Sequence, residues 1–129
     1  MLNTSGIAKT KYGAPVQILA NVELQSSVGC IVKQDIGASE GGKKIAKAGT
    51  PIKIDLSNLQ TPAEKADAET HAMNAVLLHD VDVTAGNANG TALIFGFVNM
   101  NRIDSATQAL ITTATGKADA SKLITFMKV

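Results

Sequence analysis

The chain is short of aromatic residues and contains no tryptophan. Only 3% of its 129 residues are aromatic, namely one tyrosine and three phenylalanines. Aromatic side chains supply much of the buried area in most protein cores. We therefore expect a thin core of Ala, Val, Ile and Leu. A thin core favours a protein whose partner subunits complete the burial of its apolar surface.

The chain contains a single cysteine and has almost no net charge. Cys30 is the only cysteine, which excludes an intrachain disulfide and argues against a secreted disulfide scaffold. The 12 basic and 11 acidic residues are interspersed and give a formal net charge of +1. Because no polybasic block and no aromatic stacking platform are present, the sequence gives little support for nucleic-acid binding.

No apolar run approaches the ~20 residues that a membrane-spanning helix needs. Residues 1–6 lack the basic region and apolar core of a signal peptide. We therefore expect a soluble chain that is synthesised in the cytoplasm and has no membrane partner. A length of 129 residues suits one domain, since domains cluster near ~100–150 residues.

An extended arm and a β-rich body are predicted from the distribution of residues. Residues 1–14 are small and polar and contain little that can be buried, which predicts the arm. Residues 15–129 form the single β-rich domain. Its shorter predicted strands show apolar residues in alternation or in short runs, and they cover residues 15–24, 28–33, 52–54 and 122–129. Residues 36–44 predict a loop that turns at Gly41 and Gly42.

The most informative stretch predicts a hairpin over residues 74–100. Residues 75–84 and 91–99 are rich in β-branched and apolar side chains, which favours two strands. The Gly- and Asn-rich residues 86–90 between them supply the turn. Phe95, Phe97 and Phe126 are expected to be needed by the body of the domain.

One helix signal is ambiguous. Residues 61–64, Thr-Pro-Ala-Glu, resemble an N-cap, a first-turn proline and a capping-box glutamate. Ala-rich residues 63–73 follow, but their apolar face would consist of alanines and Met73 alone. A short helix and an ordered loop therefore both remain open for residues 56–73.

The second helix signal lies after residue 103. Asp104 and Ser105 predict its start and Gly116 its end. Its predicted apolar face combines Ala106, Ala109, Leu110 and Thr113.

Three neighbouring residues invite a metal-site interpretation, namely His79, Asp80 and Asp82. On a regular strand, the two carboxylates point to one side and His79 to the other. The three side chains therefore cannot converge on one ion, and zinc or magnesium would need further ligands. We expect a solvated strand edge whose aspartates oppose aggregation, and no metal.

Catalytic and phosphate-binding interpretations are weaker. Cys30, His71 or His79, and Asp80 are the residue types of a cysteine hydrolase, but no nucleophile motif surrounds the cysteine. We expect Cys30 to be a small buried apolar residue. The glycines of residues 86–90 lack the Lys-Ser/Thr and the helix of a phosphate loop. We therefore predict no enzymatic activity, no catalytic or metal residues and no cofactor.

Three segments, in this order, resemble a known family. They are Val28-Gly29-Cys30-Ile31-Val32 with the later Lys47-Ala48-Gly49-Thr50-Pro51, then residues 74–83, and then Ala92-Leu93-Ile94-Phe95-Gly96-Phe97-Val98-Asn99. Together they resemble the capsid decoration proteins of lambda-type tailed phages. The longer segment 56–73 and the C-terminal extension depart from that pattern.

The resemblance implies a mainly β (α+β) fold that is barrel-like or clip-like, with an extended N-terminal arm and one or two short helices. It implies a cement protein on the outer surface of the virion, bound to the major capsid protein and self-associated as a homotrimer. In that setting Lys9 and Lys11 of the arm would contact an acidic partner, although solubilising charge also accounts for them. Two alternatives stay open: the base of a head fibre or another virion subunit, and a small ligand-binding β-barrel.

Overall fold

The computed structural model describes residues 17–21 and 23–128. The predicted arm, with Lys9 and Lys11, lies outside the described residues. The described chain forms nine strands and one α-helix. In chain order they are β1 Ser26–Val32, β2 Ala38–Glu40, β3 Lys43–Ala46, β4 Pro51–Lys53, β5 Glu64–Lys65, β6 Ala75–Leu77, β7 Val81–Asp82, β8 Ala88–Asn99, α1 Ser105–Thr115 and β9 Ile124–Met127. Short 3₁₀ turns cover Gln34–Ile36 and Met100–Arg102. The mainly β class predicted from the sequence is confirmed.

The long strand β8 organises the larger sheet. Its order is β1-β8-β6-β4-β5, with every pair antiparallel, and β9 runs parallel to the C-terminal part of β8. The segment before β1 follows the same strand, since Leu19 bridges Val98 and Asn99 donates its N–H to the carbonyl of Ile18 at 2.7 Å. A second sheet contains β2, β3 and β7.

The larger sheet curls until its two ends meet. Ala63, immediately before β5, forms a bridge with Val32 at the end of β1. Its N–H donates to the carbonyl of Ile31 at 2.8 Å. One bridge does not make a continuous ladder, so the sheet is not a closed barrel. The sheet therefore resembles the predicted barrel only because it curves far enough for its two ends to form one bridge.

The two faces of the larger sheet contribute to two separate core clusters. Val76 and Leu93 belong to the first cluster, with the inner side of α1 and the residues around β9. Ala75, Leu77 and Ala92 belong to the second, with side chains from the smaller sheet. Because successive residues of a strand point to opposite faces, β6 is buried on both sides.

The core contains no fully buried aromatic side chain among the described residues. Its largest fully buried residues are mostly Ile, Leu and Val, with Met73 and Pro51. The predicted aliphatic core is thus confirmed, but it is well enclosed. Aliphatic packing from two covered sheet faces fills the interior without a fully buried aromatic residue in the described chain.

Helix α1 confirms one local prediction and corrects another. Asp104 is its N-cap, with Oδ1 accepting from the N–H of Thr107 at 2.8 Å, and Gly116 follows its end. The predicted apolar face is wrong, because Ala106, Ala109 and Thr113 are exposed. The buried residues are Thr107, Ile111 and Ala114. The two faces lie side by side on the helix, and packing against the sheet selects the one that contains Ile111.

The helix alternative for residues 56–73 is wrong, and the ordered loop is correct except at Glu64–Lys65, which form the short strand β5. Thr61-Pro62-Ala63-Glu64 does not cap a helix. The carboxylate of Glu64 instead accepts from Lys33 Nζ at 2.6 Å, and Ala63 is fully buried against β1. Contacts with distant residues therefore replace the local capping box.

Three further strand predictions need correction. The described part of residues 15–24 is not a strand and makes one isolated bridge, between Leu19 and Val98. Residues 36–44 are not a plain loop, since β2 and β3 form a hairpin around Gly41 and Gly42, whose φ values are +57° and +83°. Residues 75–84 are not one strand. β6 ends at Leu77 and β7 begins at Val81 in the other sheet. The interruption lets the chain pass from one sheet to the other.

Candidate interaction surface

The C-terminal half of β8 carries a face that the core does not cover. In the parallel pair with β9, Val98 lies opposite Phe126 and Phe97 lies opposite Thr125. Val98 and Phe126 pack with the first core cluster. Phe97 and Thr125 therefore lie on the other face of the sheet. Phe95, two residues before Phe97, shares that face.

Phe95 is 37% exposed, and Phe97 is half-buried. Leu123 is 60% exposed, and its carbonyl accepts from the N–H of Gly96 at 3.2 Å. Leu123 precedes Thr125 by two residues and therefore lies on the same face of the sheet. We call Phe95, Phe97 and Leu123 the aromatic face.

The aromatic face corrects the role expected for two phenylalanines. Phe126 packs against the core, but Phe95 and Phe97 belong to neither core cluster. A chain with three phenylalanines in all thus places two of them on an uncovered sheet face. Aromatic side chains are enriched at protein interfaces and contribute many of the strongest contacts there. The sequence signal was their i, i+2 spacing within one strand, which puts both on one face.

A charged cluster joins the smaller sheet to the loop between β6 and β7. Lys47 Nζ lies 3.2 Å from Glu40 Oε1 and 3.6 Å from Asp80 Oδ2. The hydrogen bond to Glu40 is the largest cause that raises the pKa of Lys47. Asp80 Oδ1 also accepts from the N–H of Ala48 at 2.7 Å. These contacts hold the chain in place where it changes sheets.

The residues considered for a metal site make separate local contacts. Asp80 binds Ala48 and Lys47, as described above. Asp82 accepts from the N–H of Thr84 at 2.9 Å, and hydrogen bonds from Thr84 lower the pKa of Asp82. His79 Nδ1 is buried, and no described residue forms a hydrogen bond with it. Among residues 17–21 and 23–128, no group of three metal-binding side chains comes together.

His71 lies in the loop, where Asp67 organises the backbone. Asp67 Oδ1 accepts from the N–H groups of Glu69, Thr70 and His71 at 2.8, 2.6 and 3.1 Å. Hydrogen bonds from Thr70 and His71 hold the pKa of Asp67 far below its usual value. The arrangement fixes the turn that contains His71.

Cys30 is buried in β1, as the sequence predicts, and burial raises the pKa of its thiol. It borders a cavity of about 300 Å³ between the sheet and the loop. The cavity lining comprises Gly29, Cys30, Ile31, Leu59, Gln60, Asn89 and Gly90. Because the thiolate is the reactive form, a raised pKa makes this cysteine a weak nucleophile.

The residues of the two glycine-rich segments belong to strands or to the turns next to them. Gly86 lies in the turn before β8, which begins two residues later, at Ala88. The predicted hairpin turn over residues 86–90 is wrong, because β7 pairs with β3 and not with β8, and residues 88–90 already belong to β8. Lys43 and Lys44 belong to β3, and the N–H of Lys44 donates to Thr84 Oγ1 at 2.8 Å.

Comparisons with known proteins give no family assignment. Neither the models of protein families nor the curated proteins contain a match to this chain. Within the described part of the chain, no helix combines the length and apolar character needed to cross a membrane. The aromatic face is thus the surface from which a function can be argued.

Proposed function

We propose that this protein is a capsid decoration protein that binds the outer surface of a tailed-phage head and stabilises it without turnover. In this proposal it bridges neighbouring copies of the major capsid protein and assembles as a homotrimer. The aromatic face is the observation that carries the proposal. A soluble monomer gains little from two phenylalanines on a sheet face that neither described core cluster covers, whereas an interface gains strongly.

The position of the aromatic face supports a role together with the N-terminal segment. Gln17 and Ile18 lie beside Asn99, at the end of the same strand that carries Phe95 and Phe97. The 16 residues that precede Gln17 can span about 50 Å when extended, which is enough to reach a neighbouring subunit. Specific interfaces bury on the order of 1,200–2,000 Å² in total. An arm and an adjacent apolar face together can supply such an area.

The test is reconstitution of depleted, DNA-filled particles. Purified protein should bind them at a fixed stoichiometry and raise the temperature at which they release DNA. Deletion of residues 1–14 should leave the body folded and abolish binding. Equal DNA-release temperatures for decorated and depleted particles would exclude the cement role and favour the head-fibre alternative.

A matched pair of variants tests the aromatic face itself. Leu123→Ser changes a leucine on the face, and Leu56→Ser changes one that is equally exposed, 61% against 60%, but lies elsewhere. We expect Leu123→Ser and Phe95→Ser to weaken particle binding at least about tenfold, since interface anchors contribute about 2 kcal/mol or more. Leu56→Ser should bind normally. Equal binding by all three variants would remove the face from the proposal.

A further inference from the structure

Among the described residues, no strand pairs with the outer edge of β1. The carbonyl of Ile31 points away from β8, since it accepts from Ala63. Backbone groups of a strand alternate in direction, so those of Ser27 and Gly29 also point outward. Outside the ladder with β8, no described residue bonds to the backbone of Ser27 or Gly29.

The composition of β1 is unusual for an exposed edge. Proteins commonly protect such edges with charged residues, prolines or bulges that oppose strand addition. Two other end strands follow this rule, since Glu40 ends β2 and Lys122 and Lys128 flank β9. β1 contains neither a charge nor a proline from Ser26 to Val32, and Gly29 is exposed. Its one irregularity lies at the Ser26 end.

The cavity described above lies along the last part of this edge. Gly29, Cys30 and Ile31 of β1 line it together with Asn89 and Gly90 of β8 and with Leu59 and Gln60 of the loop. The space beside Gly29 is open, because a Cβ there would have no described neighbour within 4 Å. In strand addition, backbone hydrogen bonds supply affinity and pockets beside the edge receive alternate side chains. The edge and the cavity provide both elements.

We propose that β1 accepts an extended, uncharged strand of the capsid protein, which pairs with Ser27 and Gly29 and places one apolar side chain in the cavity. The inference rests on the proposed function and names the part of the body that contacts the partner. The bridge at Ala63 limits the added strand to the region before Ile31. An uncharged segment fits this edge best, because β1 offers no charged side chain from Ser26 to Val32 that could pair with a charge on the added strand.

The decisive experiment measures amide hydrogen exchange in wild-type protein, free and bound to depleted particles. Binding should slow exchange of the Ser27 and Gly29 amides at least about tenfold, because both gain a hydrogen-bond acceptor. Ser39, whose position at the edge of the smaller sheet is comparable, should show no such change. Particle-bound protein with unprotected Ser27 and Gly29 amides would overturn the inference and leave the proposed function standing.

A pair of proline variants provides the second measurement. Gly29→Pro removes an outward N–H that β8 does not use, and Ser39→Pro does the same at β2. Gly29→Pro should bind particles at least about tenfold more weakly, and Ser39→Pro should bind normally. If Gly29→Pro does not fold, the exchange experiment decides alone. Association of free wild-type chains through β1 would show a second copy as the occupant and overturn the inference. Wild-type protein that does not bind particles would overturn the proposed function with it.

Discussion

The N–H of Ala63 donates to the carbonyl of Ile31 at 2.8 Å, and this contact joins the two ends of the larger sheet. An ion pair reinforces it one residue further on, where Lys33 Nζ lies 2.6 Å from Glu64 Oε2. The hydrogen bond raises the pKa of Lys33 and lowers that of Glu64. Both side chains remain partly exposed, so the buried backbone contact has the larger structural role.

Removal of the Ala63 donor should loosen the loop over Cys30. Ala63→Pro eliminates the N–H and leaves the carbonyl of Ile31 without its partner, at a cost of about 1–3 kcal/mol. We expect a lower melting temperature and faster reaction of Cys30 with a thiol reagent. Ala68→Pro, in an exposed bend where no described backbone group accepts from the N–H, is the control. Equal labelling rates in both variants would show that this contact does not hold the loop closed.

Gly49 should tolerate no side chain. Its φ is +93°, and a Cβ there would lie 2.7 Å from Ile103 Cδ1. Gly49→Ala should therefore destabilise the fold by about 1–3 kcal/mol in urea unfolding. Gly29→Ala is the matched variant, since its Cβ meets nothing and alanine restricts the unfolded chain more than glycine. We expect it to be neutral or stabilising by up to about 1 kcal/mol. The reverse order of stabilities would show that contact with Ile103 does not restrict residue 49.

The inner face of α1 can be checked by truncation. Ile111 is 2% exposed and packs in the first core cluster, so Ile111→Ala should cost about 2–5 kcal/mol. Leu110→Ala, on the face expected from the sequence, should cost less because Leu110 is only partly buried. Chemical denaturation of both variants measures the difference. A larger loss for Leu110→Ala would restore the sequence-based face.

The N-cap of α1 predicts a pH dependence. Hydrogen bonds from the side chain and the N–H of Thr107, together with the charge of Lys47, lower the pKa of Asp104 against the opposing effect of burial. A carboxylate with a folded-state pKa below its unfolded value contributes stability above the unfolded value of about 3.9. That contribution is lost as the pH falls through the folded-state pKa.

The variant Asp104→Asn separates the effect of the carboxylate charge from the effect of the N-cap hydrogen bond. Asparagine keeps the cap acceptor but does not titrate, so the wild type should lose more stability than Asp104→Asn between about pH 5 and pH 2. Asp104→Ala should be less stable than wild type at pH 7 by about 1 kcal/mol. Thermal melts across this pH range provide the measurement. Parallel melting profiles for wild type and Asp104→Asn would show that the ionised cap adds no stability.

Features encoded in short segments could be predicted from the sequence. The bounds of α1 follow from Asp104 and Gly116, which act within one helical turn of their own positions. The β-rich class follows from the β-branched segments, and the terminal strand β9 was among them. The scarcity of aromatic residues predicts the aliphatic core that the structure contains. The capsid partner and the trimer stay predictions.

Only the tertiary structure decided features that depend on distant residues. Leu77 and Val81 belong to different sheets because the chain crosses between them, although the intervening sequence favours one strand. Glu64 binds Lys33, 31 residues away, instead of capping a helix beside it. Phe95 and Phe97 lie outside both described core clusters because the second cluster packs against β8 as far as Ile94, before either phenylalanine. The physical reason is common to all three cases: burial and pairing across the fold outweigh local propensities of at most about 1 kcal/mol per residue.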